Sequence, residues 1–273
     1  MQRARFFTER PDEDAPAGTT LAVCDGVEGC SLCLRDGKGR LLAFAHEPYE
    51  DDAPDARFAR LREIVEGEPM MAGRYERVFV SVSFREKMLV PDRFYGREEL
   101  PVLWAFHHES PASGHLLRHA VTEWGARLVS ALPERTRLLF RRVQPGCRFL
   151  PGGLSLVRLA IGMQDGVFID VHGDYFDLLV TRDGRPLLFN AFHHETKEDI
   201  LYFTLNAARD CRLDERASLV VMGVVDQRLH ALLSRYFAAP RLLADPALAT
   251  LLGDVSFNTS PFVHLLNLHT CAS

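Results

Sequence analysis

The sequence predicts an α/β protein made of two similar halves in tandem, and three observations carry that prediction. The same hairpin occurs twice. It reads Leu34-Arg35-Asp36-Gly37-Lys38-Gly39-Arg40-Leu41-Leu42-Ala43-Phe44, then Thr181-Arg182-Asp183-Gly184-Arg185-Pro186-Leu187-Leu188-Phe189. Each copy follows an apolar strand and a glycine turn (Gly26, Gly173) and precedes a helical pattern, as an internal repeat should. The length of 273 residues, with 47% hydrophobic and 25% charged residues, suits two globular domains at ~150 residues each.

The elements follow in order. Residues 8 to 18 read as a loose leader of acids, Ala, Pro and Gly. Thr20 to Cys24, Cys30 to Leu34 and Arg40 to His46 form a β-meander, with turns at Asp25-Gly26 and Asp36-Gly37. A helix begins at Asp55, with Phe58, Leu61, Ile64 and Val65 on one face, and stops at Gly67. Arg77 to Ser83 and Glu86 to Val90 are strands, and Phe84, Met88, Leu89, Phe94 and Tyr95 are either a partner-binding surface or the core of a small subdomain. The stripe Leu116, Leu117, Ala120, Val121, Trp124 predicts a helix over His115 to Trp124, before a strand from Arg127 to Leu132. Pro133 opens a helix with Leu138, Leu139 and Val143 inward. Cys147 to Leu150 is a strand, and Leu154 to Ile161 a buried helix.

The pattern then restarts. Val167 to Val171, Asp177 to Thr181 and Pro186 to Phe192 are strands. Thr196 opens a helix whose face is Ile200, Leu201, Thr204 and Ala207. Ser218 to Met222 is an apolar strand ending at Gly223, and Asp226 caps a helix carrying Leu229, Leu232, Leu233 and Phe237. Asp245-Pro246 and Ser260-Pro261 start short helices. This gives a leader at 1–19, a first domain at 20–162 with an inserted subdomain near 76–112, a second at 163–255, and a C-terminal helix at 256–273 returning to the first.

Composition excludes several classes. A net charge of −5 argues against a dedicated nucleic-acid binder. The longest apolar run, Ala217 to Val225, is half the ~18 residues of a membrane helix, and no secretory signal is visible, so a cytoplasmic location is expected. The six cysteines are read as reduced thiols. Cys30 and Cys33 sit on opposite faces of a strand and have no second pair to complete a zinc site. Lys occurs only at Lys38, Lys87 and Lys197, none of them in a P-loop. Gly153-Leu154-Ser155-Leu156-Val157 lacks the second glycine of a nucleophile elbow.

Two other constellations can be weighed. Asp170-x-His172-Gly173, with Asp174 and Asp177 near, is similar to the opening motif of metallophosphoesterases, but that family's later motifs do not follow. The pairs His107-His108 and His193-His194 can each offer at most one ligand if they lie on strands. The near-identity of Ala105 to Ser110 with Ala191 to Thr196 fits no common register and is read as accidental.

The tandem plan resembles the actin, sugar kinase and heat-shock chaperone superfamily. Val167-Phe168-Ile169-Asp170-Val171-His172-Gly173, Phe176-Asp177-Leu178-Leu179-Val180 and Asp183-Gly184 are similar to the second phosphate loop of actin-like proteins of type IV pilus assembly. Arg77 to Pro91 resembles the small subdomain that those proteins insert. Closer still is an uncharacterised bacterial domain-of-unknown-function family with an actin-like ATPase fold. Its pattern is matched by Leu188-Phe189-Asn190-Ala191-Phe192, Glu198 to Phe203, Leu219 to Gly223 and Leu265 to Cys271.

The resemblance implies a nucleotide cleft at Asp25, Gly26, Asp170, His172, Gly173 and Gly223. Active relatives carry Asp-x-Gly on the first turn of each half, because amides beside a glycine reach phosphate and the Asp holds Mg²⁺ through water. Here the first copy is Cys24-Asp25-Gly26, with the Asp displaced one place or replaced by Cys24, the second has His172 for glycine and Phe176 for a hydroxyl residue, and the adenosine-side strand ends Gly223-Val224 instead of Gly-Gly. The expectation is a degenerate cleft with no catalytic residue, no resident metal and no cofactor, in a protein-interaction or scaffold role. His172 and Val224 would fill the space of phosphate and base. The partner would be an unidentified protein or a second copy, not nucleic acid or membrane. The alternative is an ATPase or ATP-binding protein taking ATP with Mg²⁺ at a remodelled site.

Overall fold

Alternation along one strand builds two cores at once. In β2 (Thr20–Gly26), Leu21 and Val23 enter one buried cluster while Ala22 and Cys24 enter another, because successive side chains point to opposite faces. The computed structural model describes residues 2–7, 18–51, 53–96, 98–108, 114–163, 165–213 and 217–271. Ahead of β2 lies β1 (Ala4–Phe7). After it come β3 (Gly29–Arg35), β4 (Leu41–Pro48), α1 (Pro54–Gly67), α2 (Pro69–Ala72) and β5 (Arg77–Ser83). An inserted block holds β6 (Lys87–Pro91), α3 (Glu99–His108), β7 (His115–Val121) and β8 (Ala126–Leu132). The first half closes with α4 (Glu134–Val143), β9 (Arg148–Pro151) and α5 (Leu154–Met163). The second runs β10 (Gly166–Val171), β11 (Tyr175–Arg182), β12 (Arg185–His193), α6 (Lys197–Asp210), β13 (Leu219–Gly223), α7 (Gln227–Leu233), β14 (Arg241–Leu242), α8 (Pro246–Leu251) and α9 (Val263–Asn267).

The two main sheets share one topology. In the first, β4, β3 and β2 form the antiparallel meander, and β5 and then β9 add in parallel. In the second, β12, β11 and β10 form the meander, and β13 and β14 add in parallel. The repeated hairpin is therefore the β3–β4 turn in one half and the β11–β12 turn in the other. The fold is a duplicated actin-like one. A large core joins the halves: α5 and α9 contribute Leu156, Val157, Leu265 and Leu266, packed with Phe44 and Phe79 of the first sheet and Phe168 and Leu179 of the second. No helix among the described residues is long and apolar enough to cross a membrane.

Several expectations are corrected. His115 to Trp124 is not a helix. Its first seven residues form β7, which pairs along its whole length with β8, so Leu116 and Leu117 point to opposite faces instead of sharing a stripe. The free edge of β8 outcompetes a ten-residue helix that tertiary packing would have to stabilise. Arg77 to Ser83 belongs to the main sheet between β2 and β9, so the inserted three-stranded sheet, ordered β6-β8-β7, starts at Lys87. Leu138 points to solvent, and Phe140 fills the inward position of α4. Pro133 precedes the helix as its cap residue. His107-His108 closes helix α3, whereas His193 ends strand β12, which explains why the two similar hexapeptides share no register. β1 and β14 were not expected. β1 pairs antiparallel with β4, and Arg3 and Arg5 clamp it to the buried Glu47 at 2.8 and 2.9 Å. Of the expected leader at residues 8 to 18, residues 8 to 17 lie outside the described residues.

Candidate functional site

The site is the cleft where the first turn of each half meets the other. Asp170 follows Phe168 on the inner face of β10, and Cys24 follows Ala22 on the inner face of β2. Cys24 thus takes the inward position in the first half. Asp25, one residue on, is turned to the outer face, which corrects its assignment to the cleft. It is 3% exposed, accepts a 2.7 Å hydrogen bond from the Tyr49 hydroxyl, and lines a separate pocket of about 350 Å³ with Arg57 and Phe84. Burial pushes the Asp25 carboxyl up to about 6 despite Tyr49 and Arg57.

The two turns touch. The Gly173 amide donates to Glu28 Oε1 at 2.9 Å, and His172 Nδ1 lies 3.4 Å from the same oxygen. The other ring nitrogen of His172 faces Asp170 Oδ2 at 3.6 Å and Asp177 Oδ2 at 4.0 Å, and the ring stacks on Tyr175 with centroids 4.4 Å apart. Burial works against a charged His172, but Asp170, then Glu28 and Asp177, outweigh it and raise the imidazole to about 9. Burial likewise opposes a charged Glu28, yet the His172 imidazolium and their hydrogen bond hold its carboxyl at about 2. Burial raises Asp170 to about 6, with His172 acting against it.

Below this lies a second ion pair. Lys87 Nζ is 2.7 and 2.6 Å from the Asp177 oxygens, and both side chains are fully buried. The ammonium also sits 4.7 Å from the Tyr175 ring centroid. Asp170, His172 and Asp177 bring ligand atoms within 4.8 Å of one another, a spacing that can hold a cation. Lys87 supplies that positive charge itself. Asp174 is exposed. On the first-half side, His264 of α9 meets Cys24 Sγ at 2.8 Å. Burial, with His172 adding to it, lowers His264 to about 4, and burial pushes the Cys24 thiol up, so a neutral thiol and a neutral imidazole share this contact.

Of the six residues expected at a nucleotide cleft, Gly26, Asp170, His172, Gly173 and Gly223 cluster here, and Asp25 does not. Gly223 has φ +93°, and a Cβ there would meet Asp170 Oδ1 at 2.7 Å and Val171 backbone. The chain turns at Gly223 alone, so Val224 needs no positive φ. Val224 and His172 line an adjoining cleft of about 810 Å³, with Lys197, Asp226 and His230 on its walls. Sequence reasoning missed Glu28, Lys87 and His264. Lys87 had a signal, being one of three lysines in an arginine-rich chain. Glu28 and His264 had none, since their partners are 145 and 240 residues away.

Comparison with known proteins agrees with the fold. A family described as "Protein of unknown function (DUF3822)" matches residues 13–239. No curated protein matches the chain. Among solved structures, a Bacteroides thetaiotaomicron protein with actin-like ATPase fold and unknown function superposes with a TM-score of 0.74 at 16% identity, covering 86% of this chain and 96% of that one. The ethanolamine utilization protein EutJ of Carboxydothermus hydrogenoformans gives 0.49 at 11% identity, over 92% and 89% of the two chains. The cytoplasmic domain of EpsL, an inner membrane component of the type II secretion system of Vibrio cholerae, gives 0.46 at 12%, over 88% and 97%.

Proposed function

The chain belongs to the family of unknown function DUF3822, and from that premise we propose that it is a non-hydrolysing actin-fold protein that works as a binding or scaffold module. One observation carries the reading: the Glu28 carboxylate sits on the Gly173 amide and against the His172 ring. In an active relative that amide and the neighbouring turn would face phosphate. Here an anion of the chain's own first half takes the amide, and the imidazolium beside it neutralises the charge. Lys87 does the same for the buried Asp177, neutralising the second carboxylate beside Asp170 and His172. A nucleotide would have to displace both pairs and separate turns that already touch. The retained two-half core then serves as a rigid frame for partners.

A second reading is ATP binding at a remodelled site, with Asp170 near Mg²⁺ and Gly173 and Gly223 near the nucleotide, favoured by the 810 Å³ cleft that Gly173 and Val224 line. Calorimetry and thermal melting with Mg-ATP and Mg-ADP separate the two. A ligand raises the melting temperature only through RT ln(1 + [L]/Kd), so millimolar nucleotide leaves a closed cleft unmoved. A Mg²⁺-dependent rise that disappears in Asp170→Ala would overturn the first reading and establish the second.

A further inference from the structure

The pocket that Asp25 faces lies at the carboxyl ends of the parallel strands β2 and β5, between the starts of α1 and α4. In α/β sheets the crevice beyond the carboxyl strand ends is where ligands are held. At about 350 Å³ this one is at the small end of the range for small-molecule sites.

Its polar groups do not satisfy one another. Asp25 is 3% exposed, and among the described residues only the Tyr49 hydroxyl hydrogen-bonds its side chain, at Oδ1. An ionised carboxylate can accept more than one donor. Arg57 does not answer it. That guanidinium donates through Nη2 to the Gly26 carbonyl at 2.8 Å and lies over the rings of Tyr49 and Phe84, 5.2 and 5.4 Å from their centroids. It is a fixed cation with donors to spare. Pro133 caps α4 without a side-chain bond, and the Arg137 amide reaches back to the Pro133 carbonyl at 3.0 Å. The amides of Glu134, Arg135 and Thr136 therefore have no partner within the helix.

Two further charges stand on the walls. Arg135 is taken by Asp55 Oδ1 at 2.6 Å and the Pro54 carbonyl at 2.7 Å, which sets the starts of α1 and α4 side by side, and Glu86 is exposed. With two acids and two bases on its walls, the pocket matches neither a lone anion nor a lone cation. It offers an acceptor at Asp25, donors at Arg57 and the α4 start, and an apolar wall at Phe58 and Leu61. Burial raises the Asp25 carboxyl, and a bound ammonium would offset that desolvation.

We propose that this pocket binds a free α-amino acid with an apolar side chain, its ammonium on Asp25, its carboxylate on Arg57 and the first amides of α4, and its side chain against Phe58 and Leu61. The site lies outside the cleft between the halves and stands whether or not a nucleotide binds there.

Calorimetry and thermal melting of the full chain test it with L-leucine, L-phenylalanine and the two halves of the latter, phenethylamine and 3-phenylpropionate. At about 10 mM an amino acid should raise the melting temperature, and it should bind about tenfold tighter than either half. Asp25→Asn keeps an oxygen for Tyr49. It should weaken the amino acid and phenethylamine about tenfold and leave 3-phenylpropionate unchanged. Arg57→Gln should do the converse, weakening the amino acid and 3-phenylpropionate and sparing phenethylamine. Binding of neither amino acid, a half that binds as tightly as the whole, or a substitution that weakens the wrong half would overturn the proposal. If Asp25→Asn does not fold, Arg57→Gln with the four probes decides it alone. Mg-ATP added to the same samples reads the cleft separately.

Discussion

Lys87 Nζ lies 2.7 and 2.6 Å from the two carboxylate oxygens of Asp177, with neither side chain exposed. The pair ties the inserted sheet to the second half across 90 residues of sequence. Lys87→Met leaves a carboxylate buried without its cation and should cost about 3–5 kcal/mol. Lys87→Met with Asp177→Leu should recover most of that, because desolvating two charges offsets much of their attraction. Urea denaturation of the two single variants and the double variant measures the coupling; equal losses in the single and double variants would refute it.

The cleft turns should respond to pH from both sides. The Glu28 carboxyl sits at about 2, below its ordinary 4.5, so its contribution is present above pH 4.5 and is lost as pH falls toward 2. His172 sits at about 9, above its ordinary 6.5, so its contribution is complete below pH 6.5 and is lost as pH rises through 9. Glu28→Gln should therefore be less stable than the wild type near neutral pH, and the gap should narrow at both extremes. Denaturation curves from about pH 3 to about pH 10 check this. A gap that stays constant across the range contradicts the assigned ion pair.

Gly223 and Gly39 both have positive φ, +93° and +80°, but only Gly223 is crowded. Gly39→Ala meets open space and should cost about 1 kcal/mol from the left-handed backbone alone. Gly223→Ala adds a clash with Val171 backbone and Asp170 and should cost about 1–3 kcal/mol more. Thermal melts of the two variants compare them directly.

Thiol labelling should be uneven. Cys24, Cys30, Cys33, Cys147 and Cys271 are buried and Cys211 is only partly so. Burial raises every one of these thiols, that of Cys211 included. Access therefore decides the order, since only the thiolate reacts. Cys211 should react first in the native protein and the other five only on unfolding. Fast native alkylation of Cys24, followed by mass spectrometry, would mean that the cleft opens.

Local pattern was enough for most of the fold. The β3–β4 and β11–β12 hairpins were legible because turn glycines and apolar alternation act over a few residues. These helix starts were legible because Thr196, Asp226 and Asp245 each accept a hydrogen bond from the amide three residues on, in their own helices. The order of those motifs was enough to place the chain in its family. Of the cleft, the second turn was readable, since Asp170, His172 and Gly173 are contiguous. The first turn left two readings, the Asp displaced by one place or replaced by Cys24, and in a strand one residue is the difference between faces: Cys24 went in and Asp25 went out.

What the tertiary structure decided is everything that depends on partners far along the chain. β7 became a strand because β8 offered it an edge. Glu28 became the anion on the Gly173 amide because two halves 145 residues apart close on each other. Lys87 became a buried counterion because the inserted sheet delivers it to β11. A sequence states which side chains are charged or apolar. Which charge meets which is fixed only when nonlocal packing removes them from water, where an unpaired charge is too costly to keep.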